Sequence, residues 1–128
     1  MILADSSILI RQIRKPEPRV TSIIFAHNAA VCGVTVFEVL AGAHTPRQQA
    51  SAASMLASFQ RVPTPESIWE IAGRNQANLA ANGLIVPLPD ALIATVAAVA
   101  GLELWTNDSH FTAMASLLSG LRLFHEPP

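Results

Sequence analysis

Short apolar runs alternate with longer segments of mixed character along this chain of 128 residues. The short runs have the length of buried strands, and the longer segments repeat their apolar positions at helical spacing. We predict strands over residues 2–4, 30–34, 61–62, 103–106 and 121–124. We predict a first helix that begins near Ser6, and further helices over 19–28, 35–42, 46–59, 66–82, 90–100 and 109–118. The alternation indicates an α/β fold in which helices cover both faces of a parallel sheet.

Several residues predict where these elements begin and end. Ser6 or Ser7 is the expected N-cap of the first helix, and Thr35 is the expected N-cap of the third. Gly83 is placed to end the longest helix, because glycine readily takes the left-handed backbone conformation found after helix ends. Pro63 directly follows the strand at 61–62, which predicts a strand at the edge of the sheet.

Composition limits the choice of fold and partner. The length fits one domain spanning 1–128. Hydrophobic residues make up 51% of the chain, and charged residues make up only 13%. Soluble domains usually carry about 25% charged residues, so we expect a partner to cover part of this surface. The formal net charge of −1 argues against binding nucleic acid through bulk positive charge, so any such contact must be local.

The single cysteine and the apolar segments predict a soluble cytoplasmic protein. Cys32 cannot form an intramolecular disulfide, which suits a reducing cytosol, and we expect it to be buried. The apolar stretch at 91–102 is well short of the ~20 residues that cross a bilayer. The first residues carry Asp5 and no basic leader, so they do not resemble a signal peptide.

All three aspartates of the chain stand at a predicted helix start or where a strand passes into a helix. They are Asp5, Asp90 and Asp108. Each has an ordinary explanation, because aspartate caps helices well and favours the positive end of the helix dipole. In a parallel α/β fold, however, sites form at the carboxyl ends of the strands. The three aspartates are therefore candidates for one shared site.

Glu38 lies in the apolar segment VTVFEVLAG, whose other members we predict to be largely buried. A buried carboxylate is costly unless it is paired or binds a cation. No arginine or lysine lies within four positions of Glu38, although a salt bridge to a more distant residue stays open. Glu38 is therefore the fourth candidate.

Four convergent carboxylates require compensation. Two like charges ~6 Å apart repel by about 3 kcal/mol at an effective dielectric near 20. Such a cluster must therefore hold protons or cations. Oxygen-only ligands suit Mg²⁺ or Mn²⁺ and disfavour structural zinc. Sites of this kind most often serve phosphodiester chemistry, so the cluster predicts phosphodiester hydrolysis.

These residues resemble the PIN-domain ribonucleases, and within them the VapC-like toxins of bacterial type II toxin–antitoxin pairs. The matching pieces are ILADSSILI, VTVFEVLAGA, LPDALIATVAAVAGLELWTNDSHF and LRLF, which together cover essentially the whole chain. The resemblance implies a three-layer α/β/α sandwich around a short parallel sheet. It also implies an acidic pocket that binds Mg²⁺ or Mn²⁺ and cuts RNA endonucleolytically. Toxins of this kind are usually inhibited by a cognate antitoxin that occupies the site, and they commonly form homodimers.

Carried over by position, the resemblance assigns roles to single residues. The catalytic, metal-binding acids are Asp5, Glu38, Asp90 and Asp108, and the supporting residues are Ser7, Thr106 and Asn107. Thr106 would orient Asp108 or a water, and Asn107 would supply an amide or form a turn. Some relatives carry a further acid where this chain has Ser109 and His110, which leaves the number of ions open. We expect His110 to support the acids or cap a helix, with a phosphate contact or a proton relay as the other options.

Half of the eight basic residues fall within the nine positions 11–19, shortly after the first acid. They are Arg11, Arg14, Lys15 and Arg19. Contacts of this kind would steer an RNA backbone toward the pocket. The same residues could instead form an ordinary solvated helix end, or meet acidic side chains of an antitoxin.

The sequence is also compatible with two other functions. A haloacid-dehalogenase-like phosphatase would use Asp5 as a nucleophile, but it expects a second aspartate where Ser7 stands and a lysine near Asp108. A catalytically weak scaffold of the same fold would only bind RNA or a protein. Thermal stabilisation by Mn²⁺ would distinguish a competent pocket from such a scaffold.

Overall fold

The computed structural model describes residues 1–128 as a four-stranded parallel sheet packed between helices. The strands are β1 (Ile2–Ala4), β2 (Ala30–Val31), β3 (Gln60–Arg61) and β4 (Glu103–Trp105), in the spatial order β3-β2-β1-β4. The helices are α1 (Ser6–Arg14), α2 (Pro18–Ala26), α3 (Gly33–Ala41), α4 (Pro46–Leu56), α5 (Ile68–Ala81), α6 (Leu88–Ala100) and α7 (His110–Leu117). The predicted α/β class and parallel sheet are confirmed, and β3 is an edge strand as expected.

Two apolar cores, one on each face of the sheet, hold the layers together. Helices α5, α6 and α7 cover one face, where Phe111 is 1% exposed. Helices α1 to α4 cover the other, where Trp105 is fully buried. Burying a large apolar side chain contributes about 1.5–3 kcal/mol each, so these layers supply the main driving force for folding. Cys32 lies in the first core, as predicted.

The predicted last strand at 121–124 is reduced to one bridge. Leu123 pairs with Leu104 of β4 in parallel. The N–H of Phe124 donates to the carbonyl of Leu104, and the N–H of Leu104 donates to the carbonyl of Arg122. The segment therefore borders β4 without forming a further strand.

Two predicted caps are wrong. Asp5, and not Ser6 or Ser7, is the N-cap of α1, and its side chain accepts the N–H of Ser7. Strand β2 ends at Val31, because Cys32 is the N-cap of α3 and the helix starts one residue later. Thr35 therefore lies inside α3, where its hydroxyl donates to the carbonyl of Ala4 at 3.2 Å. Burial explains this choice, since a fully buried hydroxyl needs a partner and the end of β1 provides one.

Proline explains two helix starts that lie earlier than predicted. Pro18 opens α2, and Pro89 is the second residue of α6. Backbone N–H groups in the first turn have no partner within the helix, so proline loses nothing there. As a result Asp90 lies at the third position of α6, within its first turn. No helix of the structure is long and apolar enough to span a bilayer.

An ion-pair cluster around Glu126 fastens the C-terminal residues to the body of the protein. Its carboxylate accepts hydrogen bonds from Arg11 at 2.8 Å, from Arg19 at 3.1 Å and from the indole N–H of Trp105 at 3.0 Å. Arg11 also pairs with Glu17 at 3.1 Å. Burial alone would raise the pKa of Glu126, but hydrogen bonds from Arg11 and Trp105 outweigh it and hold the pKa below its usual range.

We predict that Glu126→Gln lowers stability in a pH-dependent way. Removing a charged acceptor that serves three donors should cost about 1–2 kcal/mol near neutral pH. Because the folded pKa lies below the unfolded value of ~4.3, the contribution is present above that value and is lost as pH falls through the folded pKa. Thermal unfolding followed by circular dichroism measures both effects.

Glu66→Gln is the matched control, because Glu66 is exposed and forms no ion pair. It should leave the melting temperature nearly unchanged. The role of the cluster is contradicted if both variants melt alike at pH 7, or if the deficit of Glu126→Gln persists at low pH.

Candidate active site

Asp5 is the most enclosed of the four predicted acids. It directly follows β1 and caps α1, so the strand end and the helix start fix its position. Its side chain is 6% exposed. One carboxylate oxygen accepts the hydroxyl of Ser7 at 2.5 Å and the N–H of Ser7 at 3.0 Å, and the other accepts the hydroxyl of Thr106 at 2.5 Å.

The two hydroxyls that hold Asp5 also connect it to the loop after β4. The Ser7 hydroxyl accepts the N–H of Asn107 at 2.9 Å. The Thr106 hydroxyl accepts the N–H of Asp108 at 2.9 Å. Strands β1 and β4 are neighbours, with Ala4 opposite Trp105, so their carboxyl ends lie side by side. The structure thus brings the predicted supporting residues Ser7 and Thr106 against Asp5.

Burial controls the charge of Asp5. It raises the pKa of the Asp5 carboxyl above its usual range, and the hydrogen bonds from Ser7 and Thr106 offset this only in part. The ionised carboxylate is therefore held in an environment that disfavours its charge. A positive partner near its oxygens would relieve that cost.

Glu38 lies on α3, is partly buried, and is close enough to two of the other acids for their charges to affect its pKa. Burial is the main cause that raises the pKa of Glu38, and the negative charges of Asp90 and Asp5 raise it further. A hydrogen bond from Ser6 acts in the opposite direction. The neighbours are less buried than predicted, because Phe37 is 74% exposed. Phe37 borders a surface groove together with Glu38 and Trp69, and its ring is open to solvent there.

His110 links the remaining two acids. As the first residue of α7, it places its Nε2 at 2.6 Å from a carboxylate oxygen of Asp90 and its Nδ1 at 2.5 Å from one of Asp108. Its ring stacks on Phe111 with centroids 4.7 Å apart, which fixes the plane of the imidazole. His110 therefore contacts two of the predicted acids, and its supporting role stays a prediction.

Asp90 connects two overlapping sets of acids. Glu38 lies near enough to Asp5 and Asp90 to feel both charges, and Asp108 reaches Asp90 through His110. No three Asp, Glu, His or Cys side chains are close enough in this conformation to share one metal ion. The donor chemistry, carboxylate oxygens and a hydroxyl-bound aspartate, is that of Mg²⁺ and Mn²⁺ sites.

The predicted basic cluster is divided between two surroundings. Arg11 and Arg19 pair with Glu126, and Arg11 also donates to the amide oxygen of Asn107 at 3.0 Å. The side chain of Asn107 is thereby directed toward the ion-pair cluster. Arg14 lines a groove beside Glu38, and Lys15 is an exposed C-cap of α1.

Sequence reasoning missed three contributors near the site. Ser6 lowers the pKa of Glu38, Glu126 positions Arg11, and Arg47 of α4 lines the same groove as Glu38. Of these three residues, only Ser6 could have been found from the sequence, because it stands next to Asp5 just after a strand end. The contact of Glu126 with Arg11 joins residues 115 positions apart, which no local pattern reveals.

Comparison with known proteins decides the family. Residues 2–117 match the family model of the PIN domain. The chain belongs to the PIN domain family. No curated protein sequence matches this PIN domain significantly.

Solved structures share the fold of this PIN domain. VapBC from Salmonella typhimurium, solved bound to DNA, gives a TM-score of 0.82 at 20% identity and covers 97% of this chain and 98% of its own. VapBC2 from Rickettsia felis, bound to a promoter DNA fragment, gives a TM-score of 0.81 at 20% identity. The match covers 97% of this chain and 98% of the Rickettsia chain. VapBC-5 from Mycobacterium tuberculosis, a member of a family of toxin–antitoxin systems, gives 0.70 at 22% identity and covers 97% of both chains. These structures confirm the PIN-like architecture.

We predict that Asp5→Asn makes the metal-free protein more stable at neutral pH. Because the folded pKa of Asp5 lies above the unfolded value of ~3.9, the ionised group costs stability at pH values above the folded pKa. Asparagine caps helices as well as aspartate does, so the cap is kept. We expect a gain on the order of 1 kcal/mol at pH 8. The gain should shrink as pH falls toward the unfolded pKa, as measured by thermal unfolding in EDTA.

Asp5→Ala separates charge from capping. It removes the cap as well as the charge, and it should cost about 1 kcal/mol relative to Asp5→Asn. If Asp5→Asn destabilises the protein as much as Asp5→Ala does, the charge of Asp5 is not a burden and the account of this pocket is wrong.

Proposed function

We propose that this PIN domain is a Mg²⁺- or Mn²⁺-dependent endoribonuclease that hydrolyses RNA phosphodiester bonds. The observation that carries the proposal is the approach of three acids from separate elements: Asp5 at the end of β1, Asp90 in the first turn of α6, and Glu38 on α3, whose pKa both aspartates raise. Carboxylates held together against their own repulsion are typical of cation sites.

The proposed roles follow from the contacts of each side chain. Asp5, Glu38, Asp90 and Asp108 would hold the cation. When bound, such an ion activates a water and stabilises the charge that develops on the leaving oxygen. Ser7 and Thr106 orient Asp5 through its two oxygens. His110 sets the relative position of the two acids that it bridges.

The biological role proposed is that of a toxin neutralised by a cognate antitoxin. Three solved structures of this fold were obtained as VapBC proteins, and another is described as a toxin–antitoxin complex from Klebsiella pneumoniae. We infer that a protein partner likewise covers the acidic pocket of this chain. An RNA-cleaving toxin acts in the cytoplasm, where its substrate is found.

We also propose that the chain forms a homodimer through the apolar groove beside Glu38. Its exposed members are Phe37, Trp69 and Leu88, which are 74%, 53% and 60% exposed. Large exposed side chains gathered in one patch are typical of protein interfaces. This patch accounts for part of the apolar surface implied by the low content of charged residues.

A non-catalytic scaffold is the second candidate. The observation in its favour is that the acids do not close around one ion in the conformation described. The phosphatase alternative lacks support, because the hydroxyl of Ser7 is bound to Asp5 and the only lysine, Lys15, is exposed at the end of α1.

Asp90→Asn tests the enzyme against the scaffold. We expect cleavage of single-stranded RNA in Mn²⁺ to fall on the order of 100-fold, because one cation ligand loses its charge. Growth arrest on expression should disappear in parallel. Glu70→Gln on α5, an exposed site away from the pocket, should retain both activities. Full cleavage by Asp90→Asn and Asp5→Asn alike would overturn the assignment of these acids as cation ligands. No cleavage by the wild-type chain in Mn²⁺ would leave only the scaffold.

A further inference from the structure

A groove between α1, α3 and α4 opens beside the acidic pocket. It has a volume of about 440 Å³ and shares Glu38 with the pocket at one end. Its apolar lining includes Ile10, Ile13 and Val39, and its polar lining includes Arg14 and Arg47. We call it the α1–α4 groove.

The two arginines of this groove are not neutralised within the chain. Arg11 and Arg19 are bound by Glu17 and Glu126, and Arg74 pairs with Glu70. Arg14 and Arg47 form no ion pair, and both are exposed. They come from different helices, so the fold brings together two unpaired cations that are far apart in sequence.

The location of Arg47 strengthens the positive character of the groove. It is the second residue of α4, directly after Thr45 and Pro46, so it adds its charge to the positive end of that helix. The amide side chain of Gln48 also lines the groove. The result is a local positive surface on a protein whose net charge is −1.

We propose that the α1–α4 groove binds the RNA backbone beside the bond that is cut, with Arg14 and Arg47 each contacting a phosphate. The inference rests on the proposed function, because it takes the pocket at Glu38 as the place of cleavage. A polyanion is the partner of matching charge, and its flanking phosphates need cations beyond the acidic pocket. The apolar floor contacts ribose and base faces without requiring one sequence.

RNA binding by an uncleaving protein tests the groove directly. The parent is the full chain with Asp90→Asn in Mn²⁺, and the probe is a fluorescein-labelled single-stranded RNA of mixed sequence followed by anisotropy. Adding Arg14→Gln and Arg47→Gln should weaken binding about 10- to 100-fold and lower the slope of log K against log salt by ~1.4, or ~0.7 per phosphate contact.

The control changes the net charge equally at another surface. Arg61→Gln and Arg74→Gln, on β3 and α5, should leave the affinity and the salt slope close to those of the parent. Equal losses in the two double variants would overturn the groove as the binding site. Unchanged RNA binding in the groove variant, with lost binding of a labelled polyglutamate peptide, would overturn it in favour of an acidic protein segment.

The failure of this inference can be distinguished from failure of the proposed function. If the wild-type chain does not cut the RNA while the groove variant still loses affinity selectively, the groove stands and the endoribonuclease proposal fails. If the wild-type chain cuts the RNA and the groove variant binds as the parent does, the groove is wrong and the endoribonuclease proposal stands.

Discussion

The carboxylate of Asp5, buried where β1 passes into α1, is the constraint on which the site depends. It caps α1 through the N–H of Ser7, and it holds the loop after β4 through the hydroxyl of Thr106. Three elements therefore meet on one charged group. Removing this group from water is costly, and the raised pKa of Asp5 records that cost. The same side chain organises the fold locally and carries the charge that a cation would compensate.

The other acids take their positions from the same topology. Asp90 lies in the first turn of α6, because that helix begins early, beside a proline. Asp108 comes shortly after β4, the edge strand that pairs with β1. The parallel strands β1 and β4 end side by side, which places Asp5 and Asp108 at the same end of the sheet, and His110 connects Asp108 to Asp90. Glu38 approaches from α3, the helix that follows the neighbouring strand β2. A site assembled from separate chain segments thus needs no local sequence motif.

The sequence predicted the parallel sheet and the places of the acids well, because both depend on short-range patterns. An aspartate at a strand end can be read from neighbouring residues, and so can the hydroxyl of Ser7 two positions after Asp5. Which of the basic residues form ion pairs could not be predicted from neighbouring residues. Arg11 and Arg14 lie three positions apart on α1, yet Arg11 is bound to Glu126 while Arg14 lines the groove. Only the folded position of the C-terminal residues decides which arginine stays unpaired.

Long-range contacts also explain the wrong cap at Thr35 and the contact of His110 with Asp90. Thr35 lies within α3 because a buried carbonyl of β1 accepts its hydroxyl, and that carbonyl is 31 positions away. His110 contacts Asp90 across 20 positions, although its place two residues after Asp108 gave a hint of one contact. In each case tertiary hydrogen bonding, and not local propensity, selects the arrangement.

The central claim is that these carboxylates form one cation site centred on Asp5. Crystals grown with MnCl₂ and measured for anomalous scattering test it most directly. The account predicts a manganese peak within ~2.3 Å of an Asp5 oxygen, with an oxygen of Glu38 or Asp90 in the same coordination shell. A fully occupied manganese peak elsewhere, or Asp5 oxygens that bind only Ser7 and Thr106 at saturating Mn²⁺, would contradict it.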